Sequence, residues 1–141
     1  MRAEALAALA GVQVILHAGD VGRLSVLREL GGIAPVHAVY GNVDDPAFAL
    51  PQHLNLTFAG VRVHVSHGHE LGSPTPAALV SAYDADVIVY GHTHRPLIEM
   101  VKRTLVVNPG GAGARRFNLA PSVGILTIGG EGPHAEVVTL S

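Results

Sequence analysis

Four apolar runs in this chain end alike, in a glycine next to a polar side chain able to bind a metal. They are Ile15-Leu16-His17-Ala18-Gly19-Asp20, Ala38-Val39-Tyr40-Gly41-Asn42, Val63-His64-Val65-Ser66-His67-Gly68-His69 and Val87-Ile88-Val89-Tyr90-Gly91-His92-Thr93-His94. Short apolar runs of this kind predict strands, and the nearly continuous one over 12–18 predicts burial on both faces of a parallel sheet. Residues 22–30 place Leu24, Leu27 and Leu30 at helical spacing before Gly31-Gly32, and 35–40 is the next strand. An Ala- and Leu-rich opening over 1–10 predicts a helix stopped at Gly11. Helix, strand, helix, strand describes a βαβ-type half.

Beyond the loop 41–51 the pattern changes to hairpins. Strands are expected over 54–58 and 61–66 around Ala59-Gly60, over 97–101 and 104–107 around Lys102-Arg103, and over 122–128 and 134–140 around Gly129-Gly130. A short helix is expected over 76–83 and a strand over 86–90. The fold class is therefore α/β, a four-layer α/β/β/α sandwich of two mixed sheets. A βαβ half opens on a strand, whereas this chain opens on the helix that follows one. The first strand is missing from the pattern, and a true start upstream of Met1 would supply it. Otherwise the sheet borrows a strand, and a homo-oligomer is one way to do so.

Composition narrows the chemistry. A length of 141 residues is expected to form one domain spanning 1–141. A net charge of −2 offers no basic field for a nucleic-acid backbone, so any phosphate must be held by a local site. Cysteine is absent, which excludes thiolate metal sites and a cysteine nucleophile and leaves His, Asp, Asn and Glu as ligands. No apolar run approaches the roughly 20 residues of a membrane span and the opening has no signal-peptide core, so a cytoplasmic location without a membrane partner is expected.

His92 and His94 stand two residues apart just past a buried strand. They can turn to one point only where the backbone leaves its extended path, and Gly91 is expected to make that turn. The expectation is that all four strand ends meet at one metal site.

In order, Gly19-Asp20, Gly41-Asn42-Val43-Asp44, His67-Gly68-His69 and Gly91-His92-Thr93-His94 resemble the motifs of the calcineurin-like metallophosphoesterase superfamily. The resemblance covers nearly the whole chain. The Gly-Asn-Val-Asp form and the small size look most like its compact phosphodiesterase branch, which also includes a retromer subunit that serves as a protein-binding scaffold. This resemblance implies a two-metal site. Asp20 would bridge both ions, Asn42, His67 and His92 would complete one site, and His94 would belong to the other. Neutral imidazoles and an amide oxygen suit manganese first, with nickel, iron or zinc as alternatives.

The chain departs from that family pattern twice. It has no Asp-x-His motif after a first strand, so the second ion keeps only Asp20 and His94, and one well-held ion beside a weak or empty second site is expected. Position 43, where many members carry a proton-donating histidine, is Val43. That points to diester or activated substrates. The implied activity is hydrolysis of a small phosphate ester by metal-activated water. The alternative is a non-catalytic metal-binding scaffold that binds a protein partner.

The remaining candidates are weighed against ordinary structural roles. His69 is assigned to substrate contact or to orienting a ligand. Asp44 is read as structural, with a bond to a ligand histidine as one form of that role. His17, His37, His53, His64 and His134 are expected to be packed and hydrogen-bonded. The stretch Gly110-Gly111-Ala112-Gly113 before Arg115-Arg116 lacks the lysine of a phosphate loop and reads as a flexible connection with solvated arginines, a smaller role being closure of the site by 108–110.

Overall fold

The computed structural model describes residues 3–112 and 119–140. The elements follow the expected order: α1 (Ala3–Ala8), β1 (Ile15–His17), α2 (Leu24–Gly31), β2 (Val36–Ala38), β3 (His53–Phe58), β4 (Val61–Ser66), α3 (Pro76–Ala82), β5 (Val87–Val89), β6 (Leu97–Val101), β7 (Thr104–Asn108), β8 (Ser122–Gly129) and β9 (Gly132–Thr139). Strands β1, β2 and β5 are shorter than the apolar runs that contain them, because each run continues past its ladder into the loop that carries the polar residues. Helix α3 starts where Pro76 follows Thr75, whose side-chain oxygen accepts from the Ala78 amide at 3.2 Å.

One five-stranded mixed sheet has the order β3-β4-β5-β7-β6, with β4, β5 and β7 parallel and the two edge strands antiparallel. Its residues divide by alternation. Val63, Val65, Val87, Val89, Leu105 and Val107 face one way. Ile88 and Val106 face the other, packed with Leu79 of α3 and Tyr90. The first face is covered by a second β layer, from which Leu16, Ala18, Leu126, Ile128 and Ala135 pack against it. Outside that layer, α2 closes on β1 through Leu30 and Ile15, and α1 closes on β8 through Ala5 and Val123. The four-layer α/β/β/α order thus holds. The second β layer consists of two separate pairs, parallel β1–β2 and antiparallel β8–β9, so only the five-stranded sheet is mixed.

This topology positions the site. Strands β1, β2, β4 and β5 run in parallel pairs, and the loops after their C-terminal ends carry Asp20, Asn42, His67 and His92. In open α/β sheets that edge is where ligands bind, because neighbouring loops diverge there and leave a crevice.

The five histidines expected to be packed behave differently from one another. His64 is buried, its Nδ1 is 2.9 Å from Asn55 Oδ1, and its ring stacks on Tyr83 at a centroid distance of 3.9 Å. His17 and His37 are half-buried, whereas His53, on the edge strand β3, and His134 are exposed. Burial, with some help from the nearby His53, lowers the His64 pKa to about 4. A histidine that resists protonation only in the folded state stabilises the fold fully above its unfolded value of 6.5. That contribution is lost as pH falls from 6.5 toward 4. Thermal or urea unfolding should show a loss of about 2 kcal/mol across that window, after allowing for screening. The His64→Gln variant should show a shallower slope; an unchanged slope would assign the pH dependence elsewhere.

Candidate metal centre

His67 is the hub of the site, and it is almost fully buried at 2% exposure. Its Nδ1–H donates to the Ala18 carbonyl at 2.7 Å, which fixes the tautomer and turns Nε2 toward the crevice. Burial holds the imidazole below its ordinary pKa, against the opposing pull of the Ala18 bond and of Asp20, so the ring is neutral near pH 7 and Nε2 carries a lone pair. That lone pair stands 3.0 Å from Asn42 Oδ1 and 3.2 Å from Asp20 Oδ2. His92 Nδ1 lies 3.2 Å from Asn42 Oδ1 and 3.3 Å from His67 Nε2. Three electron-pair donors therefore face one another with no hydrogen between them, and a second imidazole nitrogen closes the group.

Such an arrangement fits a cation. Bonds of about 2.1 Å at tetrahedral to octahedral angles separate neighbouring ligand atoms by about 3.0–3.4 Å, and the separations among these atoms run from 3.0 to 3.3 Å. Counting His, Cys, Asp and Glu alone, no group of three among the described residues is set to hold an ion. The amide oxygen of Asn42 links the two imidazoles, and His67 Nε2 joins them to the carboxylate of Asp20.

The backbone around this group is strained. Asp20, His92 and His94 have φ of 55°, 66° and 59°, a left-handed region that side chains other than glycine enter at a cost of about 1–3 kcal/mol each. Aiming these side chains requires it. The expectation that Gly91 makes the turn is corrected here: positive φ falls on His92 and His94 themselves. Gly91 serves close approach instead, since a Cβ there would lie 3.1 Å from the Ala18 carbonyl oxygen and 3.3 Å from His67 Nδ1. Gly19, at φ 98°, faces the other side of the same ring, where a Cβ would meet His67 Nδ1 at 2.7 Å.

The quartet of Asp20, Asn42, His67 and His92 is brought together. His94 is placed against Gly111, where an added Cβ would lie 3.0 Å from its Nδ1. The His69 ring stands 5.3 Å from that of His67 and 6.4 Å from that of His92, at the rim of the group. Asp44 is structural, as expected, but the bond to a ligand histidine is replaced by bonds to backbone amides. Its buried carboxylate accepts from Gly22 and Gly41, each at 2.9 Å, and so ties the loop after β1 to the loop after β2. Val43 is 67% exposed, so no side chain at that position faces the group with a proton to give. Arg115, Arg116 and Gly113 lie outside the described residues.

Sequence reasoning gave Asn108 only a minor part. It is fully buried, its Nδ2 donates to the Gly91 carbonyl at 3.1 Å and to Thr93 Oγ1 at 3.0 Å, and its Oδ1 accepts from Gly110 at 2.9 Å. These bonds pin the loop that bears His92. The apolar run Leu105-Val106-Val107 ending in Asn108 was the available signal, since a buried amide needs several partners.

Residues 1–131 match the family described as the calcineurin-like phosphoesterase superfamily domain. The chain belongs to this superfamily. Among its relatives is a probable metallophosphoesterase of Methanothermobacter thermautotrophicus, 34% identical over 131 residues that cover 90% of this chain and 76% of the relative. A phosphodiesterase of Methanocaldococcus jannaschii is 30% identical over 129 residues, covering 82% of this chain and 76% of the relative. Among solved structures, an archaeal phosphodiesterase superposes with a TM-score of 0.72 at 26% identity, covering 90% of this chain and 84% of the other. Vps29 from Chaetomium thermophilum superposes with a TM-score of 0.79 at 20% identity, covering 99% of this chain and 89% of the other, a likeness of fold alone. Among the described residues no helix of this superfamily member is long and apolar enough to cross a membrane.

Proposed function

We propose that the chain is a metal-dependent phosphodiesterase acting on a small or activated phosphate ester in the cytoplasm. The observation that carries this reading is the convergence of Asp20, Asn42, His67 and His92 on one point with no hydrogen between three of the facing atoms. In this reading those residues hold one divalent cation, manganese first and nickel, iron or zinc as alternatives, while His94 serves a weaker second position. A bound cation of this kind supplies an acidified water and charge stabilisation for the phosphoryl oxygens. Asp20 contributes the negative charge of the group, and Asn42 adds an oxygen ligand without adding more. His67, pinned by the Ala18 carbonyl, keeps its lone pair aimed during turnover. His69 contacts the substrate from the rim. With the exposed Val43 at its position, the leaving group receives no proton from a side chain there, which favours diesters with good leaving groups.

The test is a Mn²⁺-dependent assay with a chromogenic phosphodiester. Chelation should abolish turnover and Mn²⁺ should restore it, and His92→Ala should lower the rate at least about tenfold, the equivalent of roughly 1.4 kcal/mol. Equal rates for wild type and His92→Ala would sink the proposal. A second reading, a metal-binding scaffold that recruits a protein, is favoured by the exposed Val43, which leaves that position without a proton donor. It predicts no turnover on a broad ester panel and partner binding that survives chelation.

A further inference from the structure

His69 stands at the rim of the quartet on the short 3₁₀ turn His69–Leu71. The turn is bounded by Gly68 at φ 99° and Gly72 at φ 73°, and it is closed by bonds from the Leu71 amide to the Gly68 carbonyl at 3.1 Å and from the Gly72 amide to the His69 carbonyl at 3.0 Å. Leu71 seats it on the apolar cluster of Leu79, Ile88 and Val106. That contact fixes the backbone of the turn, but not the rotation of the His69 ring about its own side-chain bonds. The ring nonetheless has a buried atom. Among the described residues its Nδ1 is shut off from solvent without a hydrogen bond, while the side chain as a whole is 23% exposed. Glu70 Oε2 lies 3.9 Å from that Nδ1. At this distance the contact is electrostatic rather than a hydrogen bond. A carboxylate so placed favours the ring orientation and tautomer that put a hydrogen on Nδ1, and it leaves Nε2 turned away from Glu70.

Glu70 is itself held from outside the site. Its Oε1 accepts from the Tyr83 hydroxyl at 2.8 Å. Burial would raise the Glu70 pKa, but its own backbone amide, the Tyr83 bond and the neighbouring His69 and His53 outweigh burial and hold it below the ordinary value, so the group is an anion near pH 7. Burial and the Glu70 carboxylate push the Tyr83 hydroxyl up to about 12, so it keeps its proton and donates. Tyr83 has little freedom to move. Its amide closes α3 by donating to the Leu79 carbonyl at 2.9 Å, and its ring stacks on the buried His64 at a centroid distance of 3.9 Å. A fixed hydroxyl thus grips one carboxylate oxygen of Glu70, and the other faces His69.

We propose that Tyr83 is a positioning residue, which through Glu70 sets the His69 ring at the rim of the candidate metal centre, 5.3 Å from the His67 ring and 6.4 Å from the His92 ring. For its effect on turnover this inference rests on the phosphodiesterase reading; for its effect on the ring it does not. Because His69 contacts substrate in that reading, loosening the ring weakens substrate binding more than it slows the chemical step.

Tyr83→Phe keeps the ring on His64 and removes the bond to Glu70, whereas Glu70→Gln keeps the shape and removes the charge. Both are made in the full chain labelled with ¹⁵N-histidine, and the His69 ring signals are assigned by their loss in His69→Gln. Spectra are taken without Mn²⁺, whose unpaired electrons would broaden them. The wild type should show His69 with its hydrogen on Nδ1, and in both variants the signals should move toward a mixture of the two tautomers while the melting temperature stays near that of the wild type. In the Mn²⁺-dependent assay with a chromogenic diester, Tyr83→Phe should raise KM about threefold to tenfold, part of the worth of a hydrogen bond to a charged group, with kcat within about twofold. In a His69→Gln background the same substitution should leave KM unchanged. Unmoved His69 signals in the two variants, or a KM effect of equal size without His69, would overturn the proposal. No turnover by the wild type would sink the phosphodiesterase reading alone, and the ring spectrum would still decide this one.

Discussion

Asp20→Asn is expected to leave the fold standing and to lower kcat/KM about 10³-fold, because a metal site supplies several kcal/mol of transition-state stabilisation. The two carboxylate oxygens have separate tasks. Oδ1 accepts from the Val43 amide at 3.1 Å, which steadies the loop carrying Asn42, and Oδ2 faces His67 Nε2 at 3.2 Å. An asparagine retains an oxygen for Val43 while replacing the only negative charge of the quartet with an amide. It also tolerates the left-handed backbone at this position better than most residues. Melting temperature should therefore stay near that of the wild type, while Mn²⁺ affinity by calorimetry falls with activity. Asp20→Ala removes both tasks and should lose stability in addition. If Asn restores neither metal binding nor turnover relative to Ala but does restore melting temperature, charge and support are separable as described. Full activity in Asp20→Asn would remove this residue from the chemistry.

The order of elements and the four strand-end groups were legible because buried parallel strands leave an apolar signature in sequence and their exits to solvent leave an abrupt polar one. Ile15–His17 and Val87–Val89 are examples, as each sits inside a longer apolar run. The identity of the quartet followed from the resemblance to the superfamily's motifs, which singled out Asn42 and chose His67 over His69. Other features were hidden because they depend on backbone geometry. No local pattern separates a glycine needed for positive φ, such as Gly19, from one needed for contact, such as Gly91. The partners of Asp44 lie at Gly22 and Gly41, and the bond that orients His67 comes from a carbonyl 49 positions away. Histidine exposure was hidden too. His53 and His64 are diagonal neighbours on one face of the β3–β4 ladder at a ring distance of 5.5 Å, yet the edge strand leaves His53 in solvent while His64 lies under Tyr83.

Gly41→Ala tests the packing behind the candidate metal centre and should be strongly disruptive. A Cβ at this position would overlap the Asp20 amide nitrogen and Oδ1, and would approach Asp20 Cα at 2.9 Å. Two of these are backbone atoms that no rotamer change can move. The Asp20 backbone cannot shift toward His67 either, since Gly19 already approaches that ring closely. Relief therefore requires the loop after β2 to withdraw from the loop after β1, against the bond from the Gly22 amide to Asp44. Overpacking of this kind costs about 1–3 kcal/mol, occasionally more, and loss of that charge-assisted bond adds about 1.5–3 kcal/mol. The expected outcome is a destabilisation of about 3–5 kcal/mol, together with loss of tight Mn²⁺ binding, because Asp20 and Asn42 move apart. Urea unfolding and calorimetry on the same preparation would check both. Gly60→Ala is the control, since a Cβ there meets nothing within 4 Å and only the φ of 81° opposes it. Equal destabilisation by the two substitutions would mean that loop contact at Gly41 contributes nothing beyond the ordinary cost of replacing a turn glycine.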